Sequence, residues 1–309
     1  SNGANNDFAL VRFTAAGALD ATFGTGGKVT TPIGTGIDEI NAVALQGDGK
    51  IVAAGRAIIG SNHDFALARY DSNGALDTTF NGTGIVTTPI GPGYDYAQAV
   101  AVQNDGKIVA AGYGWGGSVT VFMLARYQSN GALDTSFDTD GTVMTAFDTV
   151  SNTAHAIALQ PGGKILVAGS AYISTADFAF ARYNADGALD TSFSGDGKQT
   201  VPVGTGVDTA YAMDVQPDGK IVAAGSSTIS GTDDIAVVRV HGDAAADTDG
   251  DGLTDSWEHF VWGDIAGHSA LDDSDLDGYT ELLERALGLH PLFADAGGQP
   301  PVALEGGYL

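Results

Sequence analysis

The sequence predicts an all-β protein, a β-propeller of four-stranded blades of about 57 residues each with a small C-terminal calcium-binding tail. Two sets of residues recur along the chain at steps of 56 or 57 residues. A period of this length is typical of stacked supersecondary units. The recurring arginines are Arg12, Arg69, Arg126, Arg182 and Arg239, and the recurring glutamines are Gln46, Gln103, Gln160 and Gln216.

The second copy of the repeat shows four predicted strands. Residues 65–70 alternate large and small side chains, as a packed strand does, and residues 85–88 are β-branched and extended. Residues 99–103 and 107–112 are two apolar runs separated by a turn with Asp105-Gly106, the strongest short-range hairpin signal. Each copy therefore predicts one antiparallel four-stranded blade.

The number of strands leaves the closure of the propeller open. Seventeen strands are predicted over the whole chain, which is one strand more than four complete blades. Either a ring of about five blades is closed by a sheet that combines N- and C-terminal strands, or the chain forms an arc of a larger ring. We expect the closed ring. A β-solenoid is the alternative architecture, but its coils usually have shorter repeats with fewer turns.

Residues 7–240 resemble the bacterial delta-60 repeats. The resemblance is carried by Leu-Ala-Arg-Tyr, by Gly-Ala-Leu-Asp-Thr-Ser-Phe and by Gln-Pro-Asp-Gly-Lys-Ile-Val-Ala-Ala-Gly, and residues 182–193 and 216–225 follow this pattern almost throughout. The third copy departs from it at residues 161–164, which read Pro-Gly-Gly-Lys without the turn aspartate. The resemblance implies a propeller-like extracellular repeat protein, and it supplies no catalytic residues.

The repeated arginines are interpreted as structural. An aspartate follows each of the first four arginines after eight residues, so a partly buried ion pair between strand and turn explains the repetition more simply than a ligand site does. We therefore expect the substitution Arg126→Ala to destabilise the protein without changing its specificity. The four aspartates are Asp20, Asp77, Asp134 and Asp190.

Charge and composition divide the chain into parts. Residues 243–309 contain 15 acidic residues and one basic residue, and the whole chain has a net charge of -25. We predict a repeat domain over residues 1–242, a calcium-binding domain over 243–295, and over 296–309 a linker toward a further domain of a larger multidomain chain. The negative charge argues against nucleic acid and anionic membranes as partners. No apolar run is long enough to span a bilayer.

Two twelve-residue segments match the calcium-binding loop. Residues 247–258 place acidic residues at the first, third, fifth, ninth and twelfth positions and Gly252 at the sixth, and residues 273–284 repeat the design. Oxygen donors without His or Cys select calcium over zinc or copper, so we predict two calcium ions. The predicted ligands are Asp247, Asp249, Asp251, the Leu253 carbonyl, Asp255 and Glu258, then Asp273, Asp275, Asp277, the Tyr279 carbonyl, Glu281 and Glu284.

The surroundings of the two loops resemble dockerin-type or thrombospondin-type-three-like calcium repeats. Each loop leads into a short predicted helix, over residues 257–262 and 281–289, and no helix is predicted before either loop. The dockerin resemblance implies a protein partner bound through these helices. The two loops are not near copies of each other, however, so we expect a structural calcium clasp.

Residues that differ among the copies are the candidates for ligand contact. One such position lies five residues before each recurring glutamine, and the second copy adds further aromatic residues. Flat rings with a polar edge suit the faces of sugars, although ordinary loop packing is the alternative. The candidates are Asn41, Tyr94, Tyr96, Gln98, Tyr113, Trp115, His155 and Tyr211.

No catalytic set is predicted from the sequence. The histidines are scattered singly, no nucleophile, metalloprotease or phosphate-loop motif occurs, and Glu39 and Asp214 are the only copy-specific acids within predicted strands. We therefore expect a non-enzymatic binding or scaffold module, adhesive toward a glycan or an extracellular matrix protein and stabilised by calcium. Low Lys and high Gly, Thr and Ala content favour a secreted or bacterial cell-surface location. The alternatives are a passive spacer and, more remotely, an extracellular hydrolase.

Overall fold

Seventeen strands form five antiparallel sheets in the part of the chain that the computed structural model describes, namely residues 5–147, 150–216, 218–229 and 231–241. The chain divides into two compact units: residues 1–215 with 221–240, and residues 216–220 with 241–309. All seventeen strands belong to the first unit.

Each sheet is a simple up-and-down meander of consecutive strands, which explains why each sequence copy corresponds to one sheet. Three sheets have four strands, the first has two and the last has three. The first sheet comprises β1 (Phe8–Val11) and β2 (Lys28–Thr31); the second β3 (Glu39–Leu45), β4 (Ile51–Ile59), β5 (Asn62–Tyr70) and β6 (Ile85–Thr88); the third β7 (Asp95–Val102), β8 (Ile108–Trp115), β9 (Thr120–Tyr127) and β10 (Thr142–Thr145); the fourth β11 (Asn152–Leu159), β12 (Ile165–Tyr172), β13 (Ala176–Tyr183) and β14 (Lys198–Val201); and the last β15 (Asp208–Val215), β16 (Ile221–Ile229) and β17 (Thr232–Val240).

The predicted all-β architecture with four-stranded sheets is confirmed. A single 3-10 turn, Pro161–Gly163, is the only helical element in the described residues, and it lies where the third copy lacks its turn aspartate. The predicted sheet of mixed N- and C-terminal strands does not form among the described strands, because β1 pairs with β2 and β17 pairs with β16. The number of blades in a closed ring stays a prediction.

The hydrophobic core lies between neighbouring sheets. Phe65 and Leu67 on β5 share one buried cluster with Ala97 and Tyr127 of the following sheet. Alternation along β5 sends Phe65 and Leu67 to one face and Ala66 to the other, and Ala66 belongs to a second buried cluster shared with the preceding sheet. We call each contact between consecutive sheets a joint.

The repeated arginines join neighbouring sheets as well as closing a turn. Arg126 donates from Nε to Asp134 Oδ2 at 2.8 Å, its guanidinium lies 4.5 Å from the Phe137 ring centre, and it also donates to the Ala185 carbonyl of the next sheet. The predicted arginine–aspartate pair is therefore confirmed. The same pair and ring recur with Arg12, Asp20 and Phe23; with Arg69, Asp77 and Phe80; and with Arg182, Asp190 and Phe193.

A tyrosine–threonine hydrogen bond crosses three joints. Tyr127 donates its hydroxyl to Thr88 Oγ1 at 2.7 Å, and both side chains are buried. Tyr70 with Thr31 and Tyr183 with Thr145 repeat this bond. At the joint before the last sheet both partners are replaced, because Val201 and Val240 share a buried cluster instead.

Buried carboxylates occupy the other end of the joints. Asp64 at the start of β5 and Asp95 at the start of β7 are both buried, and Asp95 accepts backbone hydrogen bonds from Ile90 and Gly91. Asp7 with Asp38, and Asp177 with Asp208, are the corresponding buried residues at two other joints. The remaining joint has Val121 and Asn152 at these positions, so both acids are absent there together.

Candidate functional site

The four variable positions before the recurring glutamines are all β-bulges. The pairing register shifts at the same point of the first strand in each of four sheets, which leaves one residue outside the ladder. A bulge re-aims its side chain and releases it from the pairing that fixes its neighbours. This explains why alanine flanks every bulge on at least one side while the bulge residue differs: Asn41 in β3, Gln98 in β7, His155 in β11 and Tyr211 in β15.

Two of these bulge residues belong to a continuous line of rings. Neighbouring ring centres lie 5.3 Å apart for His63 and Tyr96, 5.5 Å for Tyr96 and Tyr113, 6.0 Å for Tyr113 and His155, and 5.3 Å for His155 and Tyr211. A sixth ring stacks on the second one at 5.1 Å. We call these six residues the aromatic band: His63, Tyr94, Tyr96, Tyr113, His155 and Tyr211.

The aromatic band crosses four consecutive sheets. His63 comes from β5, Tyr96 and Tyr113 from β7 and β8, His155 from β11 and Tyr211 from β15. Tyr211 is the most exposed, with 56% of its surface accessible, and the others are half-buried. Each ring of the band is thus at least partly accessible to solvent.

An ion pair lies at the first end of the aromatic band. Arg56 binds Glu39 through Nη2 at 2.6 Å and Nε at 2.9 Å, and its guanidinium lies 4.5 Å from the centre of the Tyr96 ring. Burial lowers the pKa of His63, and the charge of Arg56 lowers it further. His63 Nδ1 is buried and has no hydrogen-bond partner among the described residues.

His155 is the ring of the aromatic band best suited to proton transfer. Burial lowers the pKa of His155 below its ordinary value, so its imidazole is neutral at pH 7 and can accept a proton. Burial also raises the pKa of the neighbouring Tyr113, with a further contribution from Tyr96, so this phenol keeps its proton and can donate a hydrogen bond. A base and a donor therefore lie side by side.

The sequence candidates divide into three groups in the structure. Tyr94, Tyr96, Tyr113, His155 and Tyr211 come together in the aromatic band. Asn41 and Gln98 share the bulge position; Asn41 donates to the Ala97 carbonyl at 2.8 Å, and the Gln98 side chain has no hydrogen bond among the described residues. Trp115 makes no ring contact with the band in the described part of the chain and packs beside Gly93.

Comparison of the repeat copies did not identify two residues in or beside the aromatic band. His63 and Arg56 occur in one copy only, but each stands alone in the sequence, and only the fold places them beside Tyr96. The faint acidic candidates separate: Glu39 binds Arg56, whereas the exposed Asp214 accepts the backbone N–H of the next residue. The sequence signal for Arg56 was its charge, which occurs in one copy only, directly after the glycine that recurs in every copy.

The remaining candidate sites are a cleft within the described residues and the two calcium loops, which lie outside them. A cleft of about 690 Å³ is lined by Lys50 and Arg69, but both cations bind Asp77. No group of three or more metal-binding side chains occurs in the described ranges, and the twelve predicted calcium ligands, between residues 247 and 284, lie outside them. In the same ranges, no helix has the length and apolarity needed to cross a membrane.

Several solved structures are similar to this chain. The Pseudomonas aeruginosa periplasmic gluconolactonase is 13% identical, with 76% of this chain and 64% of that chain covered and a TM-score of 0.42. The Cellvibrio cellulosa alpha-L-arabinanase complexed with arabinohexaose is 11% identical, with 66% and 73% covered and a TM-score of 0.40. A glycoside hydrolase proposed in Bacteroides ovatus is 14% identical, with 66% and 69% covered and a TM-score of 0.38.

These similarities correct one prediction and assign nothing in its place. The expectation of a non-enzymatic module is wrong, since the similar structures are named as enzymes. At this low identity and TM-score, they give this chain neither an activity nor residue roles. The chain spans about three fifths of the length of the first structures that it matches, and no curated protein matches it.

A protein-family model also matches the chain, repeat by repeat. It is described as a domain of unknown function (DUF5122) with a β-propeller fold, and it matches residues 1–23, 46–80, 103–137, 160–193 and 216–249, more than half of the sequence. The matched segments coincide with the repeats that carried the delta-60 resemblance, which is confirmed at the level of a repeat propeller. The chain therefore belongs to the DUF5122 β-propeller family.

Proposed function

We propose that the aromatic band is the active site of a hydrolase that cleaves carbohydrate esters, with His155 as the general base. One observation carries this proposal: a half-buried histidine lies between two tyrosines in a line of rings, and this histidine and one of the tyrosines are bulge residues that differ among the copies. Bulges are over-represented next to active sites because they re-aim side chains.

The rings of the aromatic band provide the surface for the sugar. Tyr94 and Tyr96 stack face to face at 5.1 Å, and Tyr94 also shares a hydrogen bond with Thr120 that fixes its orientation. Aromatic faces pack against the apolar faces of sugar rings, and phenol hydroxyls at the rim can bond to sugar hydroxyls. The band therefore offers both apolar and hydrogen-bonding contacts to a sugar.

The protonation states favour an attack by water on an ester. Neutral His155 takes a proton from water while the water oxygen attacks the acyl carbon, and the Tyr113 hydroxyl donates a hydrogen bond to the oxyanion that develops. The oxyanion then re-forms the carbonyl as the ester bond to the sugar oxygen breaks, and His155 returns its proton to that oxygen, so the products are a carboxylic acid and a free sugar hydroxyl. Hydrolysis of a glycosidic bond commonly uses two carboxyl groups. Beside the band, Glu39 is bound by Arg56, and Asp64 is buried. This set of groups fits ester cleavage better.

His155→Gln tests the proposal. The substitution keeps a polar side chain of similar size but removes the base, so we expect release of acetate from acetylated sugars to fall by a factor of about 10² to 10⁴ with an unchanged melting temperature. The matched control is Tyr172→Ala, which removes an exposed ring outside the band. Full activity in His155→Gln would exclude this mechanism.

The pH dependence gives a second readout on the same variant. The base must be deprotonated, and burial lowers the pKa of His155 from 6.5. The acid limb of the wild-type rate should therefore be centred below pH 6.5. An acid limb centred above pH 6.5 would assign the base to another group.

We also propose that residues 247–258 and 273–284 bind two calcium ions in a secreted or cell-surface protein. The support is the position of acids and glycine in both loops. Saturating calcium at about ten times the dissociation constant should add about 1.4 kcal/mol of stability per site. Calorimetric titration should show two sites in the wild type and one in Glu258→Gln. Two unchanged sites in this variant would contradict the assignment.

A further inference from the structure

We infer that the substrate of this site is an uncharged polysaccharide lying along the aromatic band. This inference rests on the proposed function of the band and adds the class of substrate. It follows from the extent of the band, from the pairing of its cation and from the location of the basic residues in the repeats.

The aromatic band is longer than a single sugar requires. Its rings come from four consecutive sheets, and each step between neighbouring ring centres on the line from His63 to Tyr211 is 5.3 to 6.0 Å. One sugar ring covers one or two such side chains, so a short ligand would leave much of the surface exposed to water. A polysaccharide chain can contact all four sheets of the band and gains from burying the ring surfaces that Arg56 and Tyr94 leave exposed.

The cation beside the aromatic band is already paired with a carboxylate. Arg56 directs two N–H groups to Glu39, and its flat face covers Tyr96. Burial keeps His63 and His155 neutral at pH 7, because it lowers the pKa of both. A carboxylate or sulfate on each sugar would lose water here without gaining an unpaired positive partner in the described band.

The basic residues of the repeats lie at the far ends of the strands. Lys50, Lys107 and Lys164 lie between the first and second strands of their sheets. They bind the aspartates of the repeated arginine–aspartate pairs, which we call the arginine clamps. The bulges lie near the opposite ends of the first strands. The net charge of -25 adds repulsion toward a polyanion. Charge therefore selects against acidic polysaccharides at the aromatic band.

Neutral hydrogen-bonding groups remain for recognition. Gln98 makes no side-chain hydrogen bond in the described residues, and the Glu39–Arg56 pair leaves Glu39 Oε1 and Arg56 Nη1 without a side-chain hydrogen bond among them. Amides and paired ions of this kind bond to hydroxyl groups without needing a charged partner. The donor and acceptor set therefore matches sugar hydroxyls.

The test compares two polymers that carry the same ester. The full chain is given acetylated glucomannan, which is uncharged, and acetylated polygalacturonate, which is acidic, and the released acetate gives kcat/KM for each. We expect the uncharged polymer to be preferred about tenfold or more. Preference for the acidic polymer would overturn the inference.

Glu39→Gln tests the physical reason for the preference. The substitution frees the charge of Arg56, so the ratio of kcat/KM for the uncharged polymer to that for the acidic polymer should fall about fivefold. Asp214→Asn is the matched control, because it removes an equal charge from an exposed acid that is not bonded to the band, and it should leave the ratio unchanged. If this ratio of kcat/KM values were the same in Glu39→Gln as in Asp214→Asn, the ion pair would have no role in the preference.

Binding separates the failure of this inference from failure of the proposed function. Affinity electrophoresis in deacetylated glucomannan measures binding without ester cleavage. One outcome is that the wild type is retarded and Tyr96→Ala is not, while the wild type releases no acetate from either polymer. This outcome would support the uncharged ligand and reject the esterase. Stronger retardation in polygalacturonate would reject the uncharged ligand whatever the activity.

Discussion

The joints between sheets and the aromatic band are built from the same repeats in opposite ways. At the joints, the same residue types recur and are buried, as with Arg126, Asp134 and Phe137. In the band, equivalent positions carry different residues and are partly open to solvent, as with His155 and Tyr211. The reason is that the residue at a β-bulge lies outside the strand pairing and can vary among the copies, whereas the buried residues of the joints must keep their contacts.

The joints themselves contain two exceptions, and in each both partners change together. Val121 and Asn152 replace a pair of acids, and Val201 and Val240 replace a threonine and a tyrosine. Replacing both members of a buried polar pair is much less costly than replacing one, which leaves the other unsatisfied. These two joints therefore correspond to natural double substitutions, and they show which pairs of residues a joint tolerates.

Arg126→Ala should give the largest effect on stability and leave the aromatic band intact. It removes a buried ion pair, a contact with the Phe137 ring and a hydrogen bond to the next sheet. Loss of one partner of a buried pair costs 3 to 5 kcal/mol, and we expect about 3 kcal/mol because Lys107 still binds Asp134. Denaturant unfolding measures the change, and kcat/KM of the folded variant should equal that of the wild type.

Arg12→Ala is the matched control for this variant. Its side chain is 33% exposed and that of Asp20 is 23% exposed, so the same substitution should cost clearly less stability than Arg126→Ala does. An equal cost at both positions would show that burial does not determine the strength of the clamp. A change of specificity in Arg126→Ala would break the separation between joint and band.

The double substitution Asp64→Val with Asp95→Asn should change the pH dependence of stability. Burial raises the pKa of Asp95 to about 6, and the charge of Asp64 raises it further, against the hydrogen bonds from Ile90 and Gly91. Burial also raises the pKa of Asp64, which His63 partly offsets. At these two residues the folded state thus holds more protons than the unfolded state, and their contribution to stability should fall as the pH rises from about 4 to about 6.

The double variant copies the neutral joint of Val121 and Asn152 and should lose this decrease. Two pKa units at Asp95 correspond to about 3 kcal/mol, which is the expected difference between variant and wild type on going from pH 4 to pH 7. Chemical unfolding at a series of pH values measures it. Parallel curves for the two proteins would show that these carboxylates do not hold a proton in the folded state.

The repeats made the strands and the clamps predictable, because every copy repeats the same local chemistry. Asp105-Gly106 marked a hairpin, and the step of eight residues marked the pair of Arg126 with Asp134. The aromatic band was predictable only in part. Tyr96 and His155 were candidates because they vary, but their contacts with His63 and Arg56 depend on how neighbouring sheets pack, which single-copy residues do not reveal.

Tyr127→Phe should give the smallest effect and sharpen the comparison between joints. The substitution leaves the buried Thr88 hydroxyl without its partner, so we expect a loss of about 1 kcal/mol in the free energy of unfolding. Adding Thr88→Val removes the unsatisfied group and copies the apolar joint of Val201 and Val240, so the double variant should regain most of this stability. If the double variant were less stable than Tyr127→Phe, the hydroxyl pair would not be the reason that both residues differ at the last joint. Recovery would show that each joint accepts a polar or an apolar pair as a unit, whereas the bulge positions, two of which belong to the aromatic band, vary one residue at a time.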